Sequence, residues 1–174
     1  MKRAAKSGAR VLVLESNDQI AAETLDVQNR IRERAYELSQ LRGHSGREFD
    51  DWLTAESEII SVPPVELIEN AGVFELRFAV PGVNPSDIQV MTSSEEVLVK
   101  CYFHHEHAPD GAIVHLCDFK SATVFRSVPF PALIDKKSMR TQLIDGILHV
   151  TTAKEGKERP KRASTRKAPA KKKR

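Results

Sequence analysis

Cysteine, aromatic residues and long apolar runs are all scarce in this chain. Cys101 and Cys117 are the only two cysteines in 174 residues, too few for a disulfide framework at this length. Both sit in apolar runs, where a thiol packs as a small hydrophobe, and a reducing compartment fits. No stretch approaches the roughly 20 apolar residues of a membrane span. The one apolar run behind the basic start Met1-Lys2-Arg3, from Val11 to Leu14, is too short for a signal-peptide core. The expectation is a cytoplasmic protein that does not enter a membrane. The eight glycines are scattered one to a turn, so no phosphate-cradling loop and no ATP site is expected. His104-His105-Glu106-His107, with His115 and Cys117 beyond, gathers metal-ligand types. Yet neighbouring side chains in an extended loop diverge, Ala108-Pro109-Asp110-Gly111 marks a turn, and His-x-x-x-His and Cys-x-x-Cys spacings are missing. A solvated polar loop outweighs a metal site there. Nothing places a base and an orienting group beside Cys101, so the reading is a non-enzyme with no cofactor and no metal.

Hydrophobic residues make up 40% of the chain, enough to bury a core in part of it. The net charge is +3, but eleven Lys or Arg against Glu155 and Glu158 fall after Ala153, which leaves the preceding residues at −6. Basicity is therefore local to the tail.

The chain divides into four stretches. Residues 1–17 carry too little apolar surface to fold alone and are expected to be disordered. Residues 18–61 predict a helical hairpin. Ile31, Ala35 and Leu38 recur with helical spacing between Asp18 and Leu41, and Gly43 stops that helix. After the loop from Arg42 to Arg47, Phe49, Trp52, Leu53, Ile59 and Ile60 fall on one side of a second helix, with Asp50 and Asp51 favourably near its start. Val62-Pro63-Pro64 is a stiff linker.

Residues 62–153 predict a β-sandwich. Phe74, Leu76 and Phe78 alternate with Glu75, Arg77 and Ala79, the pattern of a half-buried antiparallel strand, and Pro81-Gly82 breaks it. Further strands are expected at Val65 to Glu69, Asp87 to Thr92, Val97 to Phe103, Ile113 to Phe119, Thr123 to Val128, Met139 to Ile144 and Ile147 to Thr152. Many short strands with no helix between them argue for two packed antiparallel sheets. Residues 154–174 are Lys, Arg, Ala, Pro, Ser and Thr in the main, a composition expected to be disordered. Such a tail either binds nucleic acid through its cations or keeps the rest in solution, and the solubilising role is slightly favoured.

Two resemblances emerge from these residues. Arg34-Ala35-Tyr36-Glu37-Leu38, Arg42-Gly43 and Asp51-Trp52-Leu53 with Ala55-Glu56 resemble a short bacterial domain of unknown function, which brings no activity with it. Pro81-Gly82-Val83 with Asp87-Ile88-Gln89-Val90, then Phe125-Arg126-Ser127-Val128 ahead of Phe130-Pro131, then Thr141-Gln142-Leu143-Ile144-Asp145-Gly146-Ile147-Leu148, resemble the α-crystallin domain of small heat shock proteins. The resemblance implies an immunoglobulin-like sandwich and an ATP-independent holdase that binds partly unfolded client proteins. It further implies a groove between the strands Ile88 to Thr92 and Met139 to Leu143, lined or floored by Ile88, Val90, Met139, Thr141 and Leu143. It also makes an ion pair of Arg126 across a dimer interface competitive with an outward, solvated charge.

The Ile-x-Ile or Ile-x-Val motif that most family members carry in their C-terminal extension is absent from this tail. A homodimer or small homo-oligomer is therefore expected, growing through the first 60 residues. Two other readings stay open: a co-chaperone-like adaptor that binds a folded partner, and a nucleic-acid-associated protein that works through its tail.

Overall fold

Alternation of apolar and charged residues from Val73 to Ala79 does what a period of two dictates: Phe74, Leu76 and Phe78 are fully buried while the residues between them are half-exposed. In this computed structural model, which describes residues 9–43, 46–104, 112–117 and 121–156, that segment is the fourth of nine strands. In chain order these are β1 (Arg10–Val13), the helices α1 (Asp18–Leu41) and α2 (Glu48–Ile59), β2 (Ile60–Ser61), β3 (Val65–Asn70), β4 (Val73–Ala79), β5 (Gln89–Thr92), β6 (Glu96–Phe103), β7 (Ala122–Pro129), β8 (Ile134–Ile144) and β9 (Ile147–Lys154).

The strands form an immunoglobulin-like sandwich of two sheets, ordered β1-β5-β6-β7-β2 and β3-β4-β9-β8. Its interior holds Phe74, Phe78, Ile88, Val90, Val99 and Leu148 among others. Each such side chain contributes roughly 1.5–3 kcal/mol by leaving water. Two tight turns set the register of the second sheet. Ala71-Gly72 joins β3 to β4 with φ of 49° and 80°, and Asp145-Gly146 joins β8 to β9 with 49° and 78°. Positive φ at both central residues matches the right-handed twist of paired strands. Gly146 is also pressed against the chain, since a Cβ there would lie 3.1 Å from the Pro81 Cα.

Several expectations change. The disorder expected over residues 1–17 does not extend to Arg10–Val13, which forms β1. Four apolar residues cannot fold alone, but the edge of β5 supplies a backbone ladder for them. β1 pairs with β5 in parallel, as β2 does with β7, so parallel strands close both edges of an otherwise antiparallel sheet. The strand expected from Ile113 to Phe119 is not formed over the described residues 113–117. Among the described residues no strand pairs with that segment, and Ile113 and Leu116 are each 81% exposed. β8 begins five residues before the expected Met139, because a bulge between Asp135 and Arg140 breaks the alternation. At the bulge the Ser138 hydroxyl accepts the Ala153 N–H at 2.8 Å. Asp87 belongs to a short 3-10 turn, Pro85–Asp87, ahead of β5.

The helices lie over the outer face of the first sheet. α1 buries Ile20, Val27 and Ile31, and α2 buries Ala55, against Met91, Leu98 and Phe125 of β5, β6 and β7. The apolar side expected for α2 is only partly correct: Trp52, Ile59 and Ile60 pack inward, but Phe49 is 73% and Leu53 47% exposed. The buried line passes instead through Ala55 and Asp51, whose carboxylate meets the Arg42 guanidinium at 2.5 Å. Arg34, about two turns before the end of α1, reaches Glu58 near the end of α2 at 2.6 Å and Glu37 of its own helix at 2.8 Å. The hydrogen bonds to Glu58 and then Glu37 push its guanidinium pKa further up. Residues of the resemblance motif in the hairpin thus hold its two helices together. The tail beyond Gly156 lies outside the described residues.

Candidate functional site

β8 is an edge strand of its sheet, and β5 lies one strand in from the edge of the other. An edge strand offers unpaired N–H and C=O groups to an extended segment, and the sandwich interior beneath offers apolar pockets at every second residue. Of the five residues expected in a groove here, Ile88, Val90 and Met139 are buried and belong to the sandwich interior. Leu143 packs partly buried against them, and Thr141 is half-buried on the same face of β8. The inward parity of Met139, Thr141 and Leu143 follows from the exposure of Arg140, Gln142 and Ile144.

The side of β5 away from β6 is occupied by the chain's own β1. The register aligns Val11 with Val90 and Leu12 with Met91. The pairing is closed by Arg10 N–H to the Ile88 carbonyl at 2.9 Å and Leu14 N–H to the Thr92 carbonyl at 2.7 Å. Alternation sends Ala9 and Val11 into the sandwich cluster and Leu12 and Leu14 into the cluster beneath the helices. From β8, the Lys136 ammonium donates to the Leu14 carbonyl and meets the Glu15 carboxylate at 3.2 Å. β1 therefore spans from β5 towards β8. The run from Val11 to Leu14 was visible in the sequence as an apolar knot, but nothing local says where four residues will dock.

Arg126 is not an outward charge. It shares its strand face with Val124 and Val128, both in the sandwich cluster, while Phe125 points the other way. Near the end of the sandwich it donates to the Pro63 carbonyl at 3.1 Å, tying the linker to β7.

Electrostatics elsewhere is structural. On the outer face of the second sheet Glu75 accepts from Arg77 at 2.8 Å and lies 3.0 Å from His149 Nδ1. Arg77 first, and His149 second, hold its carboxyl below the usual carboxylate range. Burial, helped by the charge of Asp87, pushes the Cys101 thiol up to about 11, which makes it a poor nucleophile. Among the described residues no three His, Cys, Asp or Glu are grouped as metal ligands, and His105 and His107 lie outside those residues. No helix among the described residues is long and apolar enough to cross a membrane.

Comparison with known proteins agrees with this geometry. Residues 26–60, the hairpin, match a family described as a protein of unknown function, DUF2934. Small heat shock protein C2 of Rickettsia felis is 25% identical over 142 residues, which span 75% of this chain and 92% of the relative. Among solved structures, heat shock protein 16.0 from Schizosaccharomyces pombe superposes with a TM-score of 0.52 at 22% identity, covering 64% of this chain and 99% of that one. That likeness shows a shared fold. Residues 66–167 match the model of the Hsp20/alpha crystallin family, and since they make up more than half of the sequence, the chain belongs to that family of small heat shock chaperones.

Proposed function

We propose that the protein is an ATP-independent holdase, which captures partly unfolded proteins at the edge of β5 and over the inward residues of β8, and so prevents their aggregation. The observation that supports this reading is β1 itself. A short apolar segment in extended conformation already adds to that edge, with alternate side chains entering the sandwich. A client segment of similar chemistry competes for the same ladder and the same pockets. Ile88, Val90 and Met139 form the floor in this reading, with Leu143 and Thr141 along the β8 side. Capture then requires β1 to leave, so exposure of the site is set by a local opening rather than by a nucleotide.

The same reading takes the working unit to be a cytoplasmic homodimer or small homo-oligomer, with Arg126 near the contact between copies and the basic tail as a solubiliser. Heat-induced aggregation of an unrelated client, followed by light scattering with and without ATP, tests it. Suppression at or below equimolar ratio without nucleotide is expected. Unchanged scattering, or suppression that appears only with ATP, removes the holdase reading.

A further inference from the structure

An antiparallel sheet that faces water on one side alternates apolar and polar residues. The first sheet does not. Val90, Val99 and Val124 point into the sandwich, and their neighbours Met91, Leu98 and Phe125 are apolar on the opposite face, with exposures of 4%, 0% and 7%. That outer face has been kept hydrophobic across three adjacent strands and is dry only because the helical hairpin lies on it.

The hairpin is attached in the manner of a strap. It leaves β1 at one edge of the sheet through Leu14 to Asn17, crosses β5, β6 and β7, and ends in β2 at the opposite edge. Its perimeter fastenings are polar and partly exposed. Lys100 of β6 pairs with Glu23 of α1 at 2.8 Å, with each side chain about one-third exposed (35% and 32%), and the Asn17 amide donates to Glu95 at 2.9 Å. Beside the Lys100–Glu23 pair an open cleft of about 570 Å³ lies at the margin between α1 and the sheet, lined by Ala22, Glu23, Asp26, Gln89, Met91 and Lys100 among others. A partly exposed ion pair of this kind contributes little to holding two elements together. The apolar contact is therefore bordered on this side by partly exposed polar groups and an open surface cleft.

We propose that the face formed by Met91, Leu98 and Phe125 is a second client-binding surface, which the hairpin covers at rest and which takes amphipathic helical segments of partly unfolded proteins when the hairpin lifts. The occupant is inferred from the present cover, an amphipathic helix that presents aliphatic side chains at Ile20, Val27 and Ile31. The inference rests on the holdase reading but places capture on a different surface from the β5 edge. Anchors at both edges let the hairpin lift without leaving the molecule, so opening is reversible.

The test compares two full-length variants that both detach the hairpin. Ile31→Glu puts a charge on the cover and leaves the sheet face apolar, whereas Leu98→Glu puts the charge on the face itself. Trp52, the only tryptophan, packs in the helical cluster and reports detachment by its emission. The readouts are binding of a labelled, unrelated amphipathic helical peptide and suppression of client aggregation. Ile31→Glu should raise both several-fold over the parent, and Leu98→Glu should raise neither.

A milder pair guards against misfolding of the Leu98 variant. Glu23→Lys, which opposes Lys100, should raise peptide binding about two- to fivefold, and the swap Glu23→Lys with Lys100→Glu should return it to the parent level. Equal gains for Ile31→Glu and Leu98→Glu would assign binding to the released hairpin and overturn the proposal. So would concentration-dependent self-association of Ile31→Glu without peptide binding, which would give the face to a second copy. A parent that suppresses aggregation while Ile31→Glu gains nothing also overturns it, and leaves the holdase reading standing.

Discussion

The guanidinium of Arg42, at the end of α1, lies 2.5 Å from the carboxylate of Asp51 in the first turns of α2. Asp51 is only 2% exposed, so this contact compensates a charge that the hairpin has taken out of water. Arg42→Ala should destabilise the hairpin by about 1–3 kcal/mol, as expected for an orphaned buried polar group with a partly exposed partner. Arg47→Ala, which removes an exposed pair with Asp50, should cost no more than about 1 kcal/mol. Urea unfolding followed by Trp52 emission separates the two, and equal effects would show that the buried pair has no special role.

Gly146→Val should destabilise the sandwich by at least about 1 kcal/mol. The residue sits at φ +78°, and a Cβ would press on the Pro81 backbone at 3.1 Å. A thermal melt no lower than that of the parent would contradict this account of the β8–β9 turn.

Ala71→Asn should act in the opposite direction. Ala71 is exposed and holds φ of 49°, a conformation that costs an L-residue about 1–2 kcal/mol and that asparagine tolerates better. A rise in melting temperature is expected, and a fall would mean that the turn selects alanine for another reason.

Val11→Asp should free the edge of β5 without unfolding the sandwich, because the Ala9 and Val11 contacts lie at the rim of the interior cluster. Hydrogen exchange at the amides of Arg10 and Leu14 should speed up, and capture of an extended apolar peptide should rise several-fold. Faster exchange with unchanged capture would detach the β5 edge from client binding.

Glu75 should make stability acid-sensitive. Its folded pKa is below the ordinary value of 4.5 because Arg77, and then His149, favour the carboxylate. The unfolded state therefore takes up the proton first, and the contribution is present above the unfolded value and lost as pH falls through the folded one. The stability gap between the parent and Glu75→Gln should be open at neutral pH and narrow below about pH 4.5. A gap that stays constant from neutral to acid pH would show that the triad with Arg77 and His149 carries no linked proton.

Much of this molecule follows from local chemistry that the sequence carries openly. A period of two around Phe74, Leu76 and Phe78 and turns at Ala71-Gly72 and Asp145-Gly146 settle strands and hairpins, because side-chain direction and φ are decided within a few residues. The bounds of α1, from Asp18 to Leu41 with Gly43 just beyond, are legible for the same reason. The run from Val11 to Leu14 announces itself as apolar, but its place on β5 depends on an edge built some 80 residues later. The strand face of Arg126 is decided by where Val124 and Val128 are buried, and the burial of Asp51 over Phe49 by which side of α2 packs against α1 and the sheet. Met91, Leu98 and Phe125 looked like ordinary strand residues. Only the tertiary structure shows that they form one face beneath a hairpin, since hydrophobic burial is non-directional and any apolar surface within reach satisfies it.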